Sequence, residues 1–91
     1  MFDPDLRRLD FSLLLIFRAI VRHGKFSAAA TELSITNSGI SHAVTRLRDI
    51  FGDELFIRHR HGIWLTARGK MLAPKIERLV EMASDVIKAE S

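Results

Sequence analysis

The sequence contains no cysteine, which removes disulfides, thiolate catalysis and cysteine-based zinc sites together. Long apolar runs are missing as well: the longest covers residues 13–17, far short of the ~20 residues that cross a bilayer. The opening Met-Phe-Asp-Pro-Asp is acidic where a signal or transit peptide would be basic. No internal repeat, low-complexity tract or Gly/Ser linker breaks the chain. Nor is there a nucleophile elbow, a glycine-rich phosphate loop or a paired-carboxylate spacing. Ser41 and His42 are adjacent, so on a helix they point about 100° apart, poor geometry for a nucleophile and its base. These absences predict a soluble, cytoplasmic domain that is not an enzyme, needs no cofactor or metal and does not bind a membrane.

What remains is globular in character. The 91 residues are 47% hydrophobic and 27% charged, a ratio that supports one small core. The net charge of +3 is modest, but it is unevenly spread. Residues 36–75 hold seven bases (Arg46, Arg48, Arg58, Arg60, Arg68, Lys70, Lys75) against three acids (Asp49, Asp53, Glu54), and three of the four histidines. Positive charge gathered in the centre of a domain points to a polyanion footprint, with a chance-clustered solvated surface as the alternative.

Hydrophobic spacing predicts four helices and a hairpin. Asp10 caps the first helix, which runs to His23; Leu13, Leu14, Phe17, Ile20 and Val21 form its stripe and Gly24 its stop. Leu15, Ile16 and Ala19 widen the stripe, so the helix should be buried on most sides. Ser27 is expected to cap a short helix over residues 28–33, with Phe26 closing the lid of the core. After the turn at Ser34-Ile35, Thr36 caps a third helix, Asn37 to Phe51, which buries Ile40, Val44, Leu47 and Phe51. Its other side carries Ser38, His42, Thr45 and Asp49, flanked by Ser41, Arg46 and Arg48. Gly39 in its first turn costs about 1 kcal/mol relative to alanine, a cost explained if another backbone, of protein or of nucleic acid, passes close by.

Residues 55–58 and 63–66 are β-prone runs around His59-Arg60-His61-Gly62, a hairpin signal in which Gly62 supplies a positive φ. The tip is basic and has no acid. His59 and His61 beside Arg60 make a weak metal pair, and phosphate contact suits them better. Thr66 caps a last helix running to about Glu90, striped by Leu72, Ile76, Leu79, Val80, Ala83, Val86 and Ile87. Pro74 should kink or divide it. The stripe outruns a core this small, and such a helix buries its surplus face against another chain.

Two helices joined by a tight turn, a polar face on the second, and a basic hairpin describe a winged helix-turn-helix. The fold class is all-α with a small β-wing, residues 1–66 forming the DNA-binding domain and residues 67–91 a linker (dimerisation) helix. Thr36, Asn37, Ser38, Ser41, His42 and Thr45 would face a major groove, where short polar side chains reach base edges. Arg58, Arg60 and His61 would grip backbone or minor groove. Arg46 and Arg48 either reach flanking phosphates or pair with Asp49 or Asp53. A protein-interaction module without DNA binding is the alternative; it would need an apolar patch where Ser38, Ser41, His42 and Thr45 stand.

The residues also carry a family likeness. Phe26-Ser27-Ala28-Ala29-Ala30-Thr31-Glu32-Leu33, residues 36–41, Arg46-Leu47-Arg48, Asp53-Glu54-Leu55-Phe56-Ile57-Arg58 and Leu65-Thr66-Ala67-Arg68-Gly69 resemble, in order and spacing, the N-terminal domain of LysR-type bacterial transcriptional regulators. The resemblance covers roughly residues 6–85. It implies a homodimer paired through the linker helix, reading an interrupted palindrome in double-stranded DNA on the bacterial nucleoid. The family's recognition helix usually opens Ser/Thr-Gln-Pro-Ala-Val/Leu-Ser; here Thr36-Asn37-Ser38-Gly39-Ile40-Ser41 replaces the Gln, Pro and Ala, which changes the expected operator but not the fold. Family members add a periplasmic-binding-protein-like domain for a small-molecule effector. These 91 residues hold no such domain, so an effector is expected only if a further domain exists.

Overall fold

The computed structural model describes residues 4–89. Its elements are α1 (Pro4–Arg8), α2 (Phe11–His23), α3 (Phe26–Leu33), α4 (Asn37–Phe51), β1 (Phe56–His59), β2 (Gly62–Leu65) and α5 (Ala67–Lys88). The acidic opening at residues 1–3 and the expected helix end at Glu90 lie outside the described residues.

Local chemistry sets most boundaries. The Asp10 carboxylate accepts from the Ser12 N–H, and Gly24 closes α2 in the left-handed conformation. Thr36 and Thr66 each accept the N–H of a glycine three residues on, Gly39 and Gly69, so α4 and α5 start on the same device. The short helix departs from expectation. It begins at Phe26, because the Lys25 carbonyl already accepts from the Ala29 N–H, so Ser27 lies inside it and caps nothing. Ser34, left-handed at φ 55°, turns the chain into α4 while its N–H bonds back to the Ala30 and Thr31 carbonyls.

The core lies where α2, α4 and the wing meet. Phe17, Ile40, Leu47, Leu55 and Phe56 are fully buried, and the Phe56 ring packs against Phe17 (centroids 5.1 Å) and edge-on to Phe26 (6.1 Å). Val21 leaves the stripe predicted for it and stands 37% exposed, on the side of α2 that α5 only partly covers. At Gly39 the nearest protein atoms are side chains and not backbone: an added Cβ would meet the Thr36 capping hydroxyl at 3.3 Å and Ile35 at 3.8 Å.

The wing is an antiparallel pair in the register Phe56↔Leu65, Ile57↔Trp64, Arg58↔Ile63 and His59↔Gly62. His59 and Gly62 thus belong to strands, and the loop is Arg60-His61 alone. Two close approaches seat the wing. At Gly62 (φ +144°) an added Cβ would fall 2.8 Å from the Gly24 carbonyl oxygen, and at Gly69 one would fall 2.8 Å from the Leu55 carbonyl oxygen. Leu55 itself holds φ 64°, which costs a non-glycine residue on the order of 1–2 kcal/mol. Asp53 compensates: its Oδ1 accepts from both the Leu55 N–H and the Thr66 hydroxyl, each at 2.7 Å.

α5 runs unbroken through Pro74, so of the kink or division expected there the division does not occur. An interior proline costs about 3 kcal/mol, but Ile76 and Val80 beyond it are buried, each recovering ~1.5–3 kcal/mol. Glu77 adds a clasp to α2, with Arg18 Nε at 2.5 Å and Arg22 Nη2 at 3.0 Å. The first half of α5 is therefore part of the same core as the wing and α2, and its last two turns project from it.

Candidate nucleic-acid interface

α4 presents a continuous polar face. Asn37, Ser38, Ser41, His42, Thr45, Arg46 and Asp49 are all exposed, while Ile40, Ala43, Val44 and Leu47 hold the opposite side in the core. At 100° per residue the exposed arc runs from Asn37 and Ser41 at one edge, through Thr45 and Ser38, to His42 and Arg46 at the other.

The wing stands beside the first edge. An open cleft of about 590 Å³ lies between them, lined by Asn37 and Ser41 of α4, by Arg58, Arg60 and His61 of the wing, and by Lys25 and Ser27 at the start of α3. Five of the residues singled out from the sequence thus converge. Lys25 and Ser27 were not foreseen. A basic residue and a hydroxyl leading into a helix are too common to stand out until the wing is folded over them.

Arg58 does not wave freely. Its guanidinium carbon sits 4.7 Å from the Phe26 ring centroid, a cation–π contact that holds the charge at the cleft wall. At the tip, His59 Nδ1 accepts the His61 N–H at 3.2 Å and the His59 ring stacks 4.2 Å from that of Trp64. His59 therefore shapes the turn, and Arg60 and His61 remain exposed at its apex.

Other residues are placed differently from the expectation. Arg48 faces neither phosphate nor carboxylate: its Nε donates to the Glu54 carbonyl (2.8 Å) and its Nη2 to the Phe56 carbonyl (2.9 Å), fastening α4 to the wing. The Glu54 carbonyl, which also accepts the Phe56 N–H at 2.7 Å, and the Phe56 carbonyl hold the guanidinium in place of the acids. The Thr45 hydroxyl donates to the Ser41 carbonyl at 3.0 Å, so it offers lone pairs outward and no proton. Arg46 lies on the far edge, sharing a shallow recess with Arg8, Asp49 and Ile50, and Arg8 of α1 pairs with Asp49. Of the seven α5 stripe residues, Ile76 and Val80 are buried in the chain's own core and unavailable to a partner. Leu79, Val86 and Ile87 are exposed at 52%, 69% and 84%, joined by Met71 and Met82, which the sequence reading left out. Leu72 and Ala83 are half-buried.

Two carboxyls are held below the ordinary aspartate value of 3.8. For Asp53 the Thr66 hydroxyl bond is the main cause, followed by the Leu55 N–H; for Asp10 it is the Ser12 backbone N–H and then its hydroxyl. No helix among the described residues is long and apolar enough to cross a membrane.

Residues 11–70 match the family model described as bacterial regulatory helix-turn-helix protein, lysR family. The chain is 37% identical over 84 residues to the HTH-type transcriptional activator AmpR of Rhodobacter capsulatus, covering 92% of this chain and 28% of AmpR. Its fold superposes on the probable transcriptional regulator PA0477 from Pseudomonas aeruginosa with a TM-score of 0.87 and 40% identity, over 93% of this chain and 28% of that one. It likewise matches the crystal structure of a CbnR_DBD-DNA complex with a TM-score of 0.81 and 29% identity, over 88% of this chain and 92% of that one. The chain spans about a quarter of the length of the curated relatives it matches.

Proposed function

The chain belongs to the lysR family of bacterial regulatory helix-turn-helix proteins, and from that premise we propose that it binds double-stranded DNA in a sequence-dependent way. α4 enters the major groove and the wing straddles the adjacent backbone toward the minor groove. One observation carries the reading: the polar edge of α4 and the cationic wing open onto a single cleft containing Asn37, Ser41, Arg58, Arg60 and His61. No apolar patch occupies the outer face of α4, so the protein-interaction alternative lacks the surface it requires.

Roles follow from reach. Asn37, Ser38, Ser41 and His42 contact base edges, and Thr45 offers an acceptor beside them. Thr36 leads the N-terminal amides of α4 to a phosphate, where the helix dipole favours an anion. Arg58, Arg60, His61, Lys25 and Ser27 hold backbone on the wing side, and Arg46 on the other. The domain acts as a homodimer through the exposed stripe of α5, so that two α4 helices read an interrupted palindrome.

Selection of bound duplexes from a random pool at fixed salt tests this, followed by variants on the selected site. Arg60→Ala should weaken all sequences alike and lower the slope of log affinity against log salt by about 1. Ser41→Ala or His42→Ala should instead blur preference at particular bases, by about 1–3 kcal/mol per lost contact. A pool that returns no enriched sequence, or the two classes exchanging their effects, overturns the assignment.

A further inference from the structure

The wing has a second face, turned away from the core, and it is not polar. Ile57 and Trp64 sit opposite one another across the strands, 39% and 62% exposed. The His59 ring lies against the indole at 4.2 Å, bracing it outward instead of letting it fold onto the sheet. The strands themselves carry no carboxylate, and Asp53 beside them is taken up by the Leu55 N–H and the Thr66 hydroxyl. From residue 55 to residue 76 there is no aspartate or glutamate, while Arg58, Arg60, Arg68, Lys70 and Lys75 and two histidines are present. A protein surface of mixed sign finds no complement in such a stretch. A polyanion does, and an indole in that field suits a polyanion with apolar surface between its charges, as the sugars and base edges of a nucleic acid provide.

Trp64 is also close enough to share one ligand with the tip. It stands two residues beyond Gly62, and at ~3.3 Å per strand residue its Cα is within about 10 Å of the exposed Arg60-His61 turn. An anionic bilayer would match the charge, but two side chains make a narrow face for lipid. We propose that the outer face of the wing is part of the DNA interface, with Trp64 laid against deoxyribose and base edges beside the groove that the wing tip enters. This rests on the DNA-binding reading above and adds to it a contact that is apolar and therefore insensitive to salt.

Trp64 is the sole tryptophan and there is no tyrosine, so its emission reports on this face alone. The full chain is titrated with a labelled mixed-sequence duplex at several salt concentrations, following label anisotropy and indole emission together. Emission should change and saturate in step with anisotropy. Trp64→Ala should lose roughly 5- to 10-fold in affinity at every salt with an unchanged salt slope, because no counterion-releasing charge is removed. Trp64→Phe should retain most of the affinity. If Trp64→Ala folds poorly, wild-type emission and the phenylalanine variant still decide.

Binding with unchanged emission, or a folded Trp64→Ala variant of wild-type affinity, overturns the inference and leaves the DNA-binding reading standing. Anisotropy that never rises defeats that reading itself. An emission change with phosphatidylglycerol vesicles and none with duplex assigns the face to a membrane surface and overturns the proposal, as does a Trp64→Ala variant whose loss is confined to self-association in sedimentation.

Discussion

Gly62→Ala is the sharpest test of how the wing is seated. Two costs add at this position. The φ of +144° lies in a region essentially reserved for glycine, worth about 1–3 kcal/mol to any other residue. In addition, the new Cβ would start 2.8 Å from the Gly24 carbonyl oxygen, a backbone atom fixed by the cap of α2. Relieving that overlap means moving the wing or the cap by several tenths of an ångström, a shift that in packed regions costs about 1–3 kcal/mol. The expected loss is therefore about 2–6 kcal/mol, and for a domain of this size each kcal/mol lowers Tm by roughly 4–8 °C. Thermal unfolding followed by far-ultraviolet circular dichroism, with urea titration alongside, measures it. Gly24→Ala is the matched control: its φ of +68° is left-handed but an added Cβ meets nothing within 4 Å, so only about 1–2 kcal/mol should be lost. A Gly62→Ala protein within about 1 kcal/mol of wild type, or one more stable than Gly24→Ala, refutes the close approach and the wing placement built on it.

Arg48→Met should lose about 1–2 kcal/mol of stability by removing its two hydrogen bonds to the Glu54 and Phe56 carbonyls, while the salt slope of DNA binding stays unchanged; a lowered slope would return Arg48 to the phosphates. The depressed Asp53 and Asp10 carboxyls stabilise the fold fully above the ordinary value of 3.8, and that contribution is lost as pH falls through their lower folded values. Acid titration of Asp53→Asn should therefore show a flatter fall in stability below about pH 4 than wild type; an equal fall removes the role given to the Thr66 bond. Leu79→Glu with Val86→Glu should give a folded monomer in sedimentation, because both side chains are exposed in the single chain; a dimer that survives would move the pairing surface elsewhere. Truncation after Pro74 would be a poor substitute, since it removes Ile76 and Val80 from the core.

Most of the fold was legible because its boundaries are set locally. Asp10, Thr36 and Thr66 cap where a hydroxyl or carboxylate precedes an apolar repeat, and α4 ends where Gly52 allows it. The misreadings arise where a distant contact decides. Ser27 has the right chemistry for a cap, but the helix starts earlier, where the Phe26 ring meets Phe56. The stripe on α5 looked single because periodicity records which residues are apolar and not what they touch; α2 claims Ile76 and Val80 and leaves Leu79, Met82 and Val86 outside. Arg48 could not be told from a phosphate ligand until β1 passed beside it. In the site, Asn37, Ser41, Arg58, Arg60 and His61 were readable from helix position and charge. Lys25, Ser27 and the upright Trp64 required the wing to be placed.

The Arg8 contact with Asp49 has a practical side. It brings the first helix alongside the surface proposed to meet DNA, so anything fused ahead of it is delivered to the same neighbourhood. A polyhistidine leader there would add its own cations to every titration and imitate affinity that the domain lacks. Dyes and purification handles belong after α5, whose final turns stand exposed beyond the core.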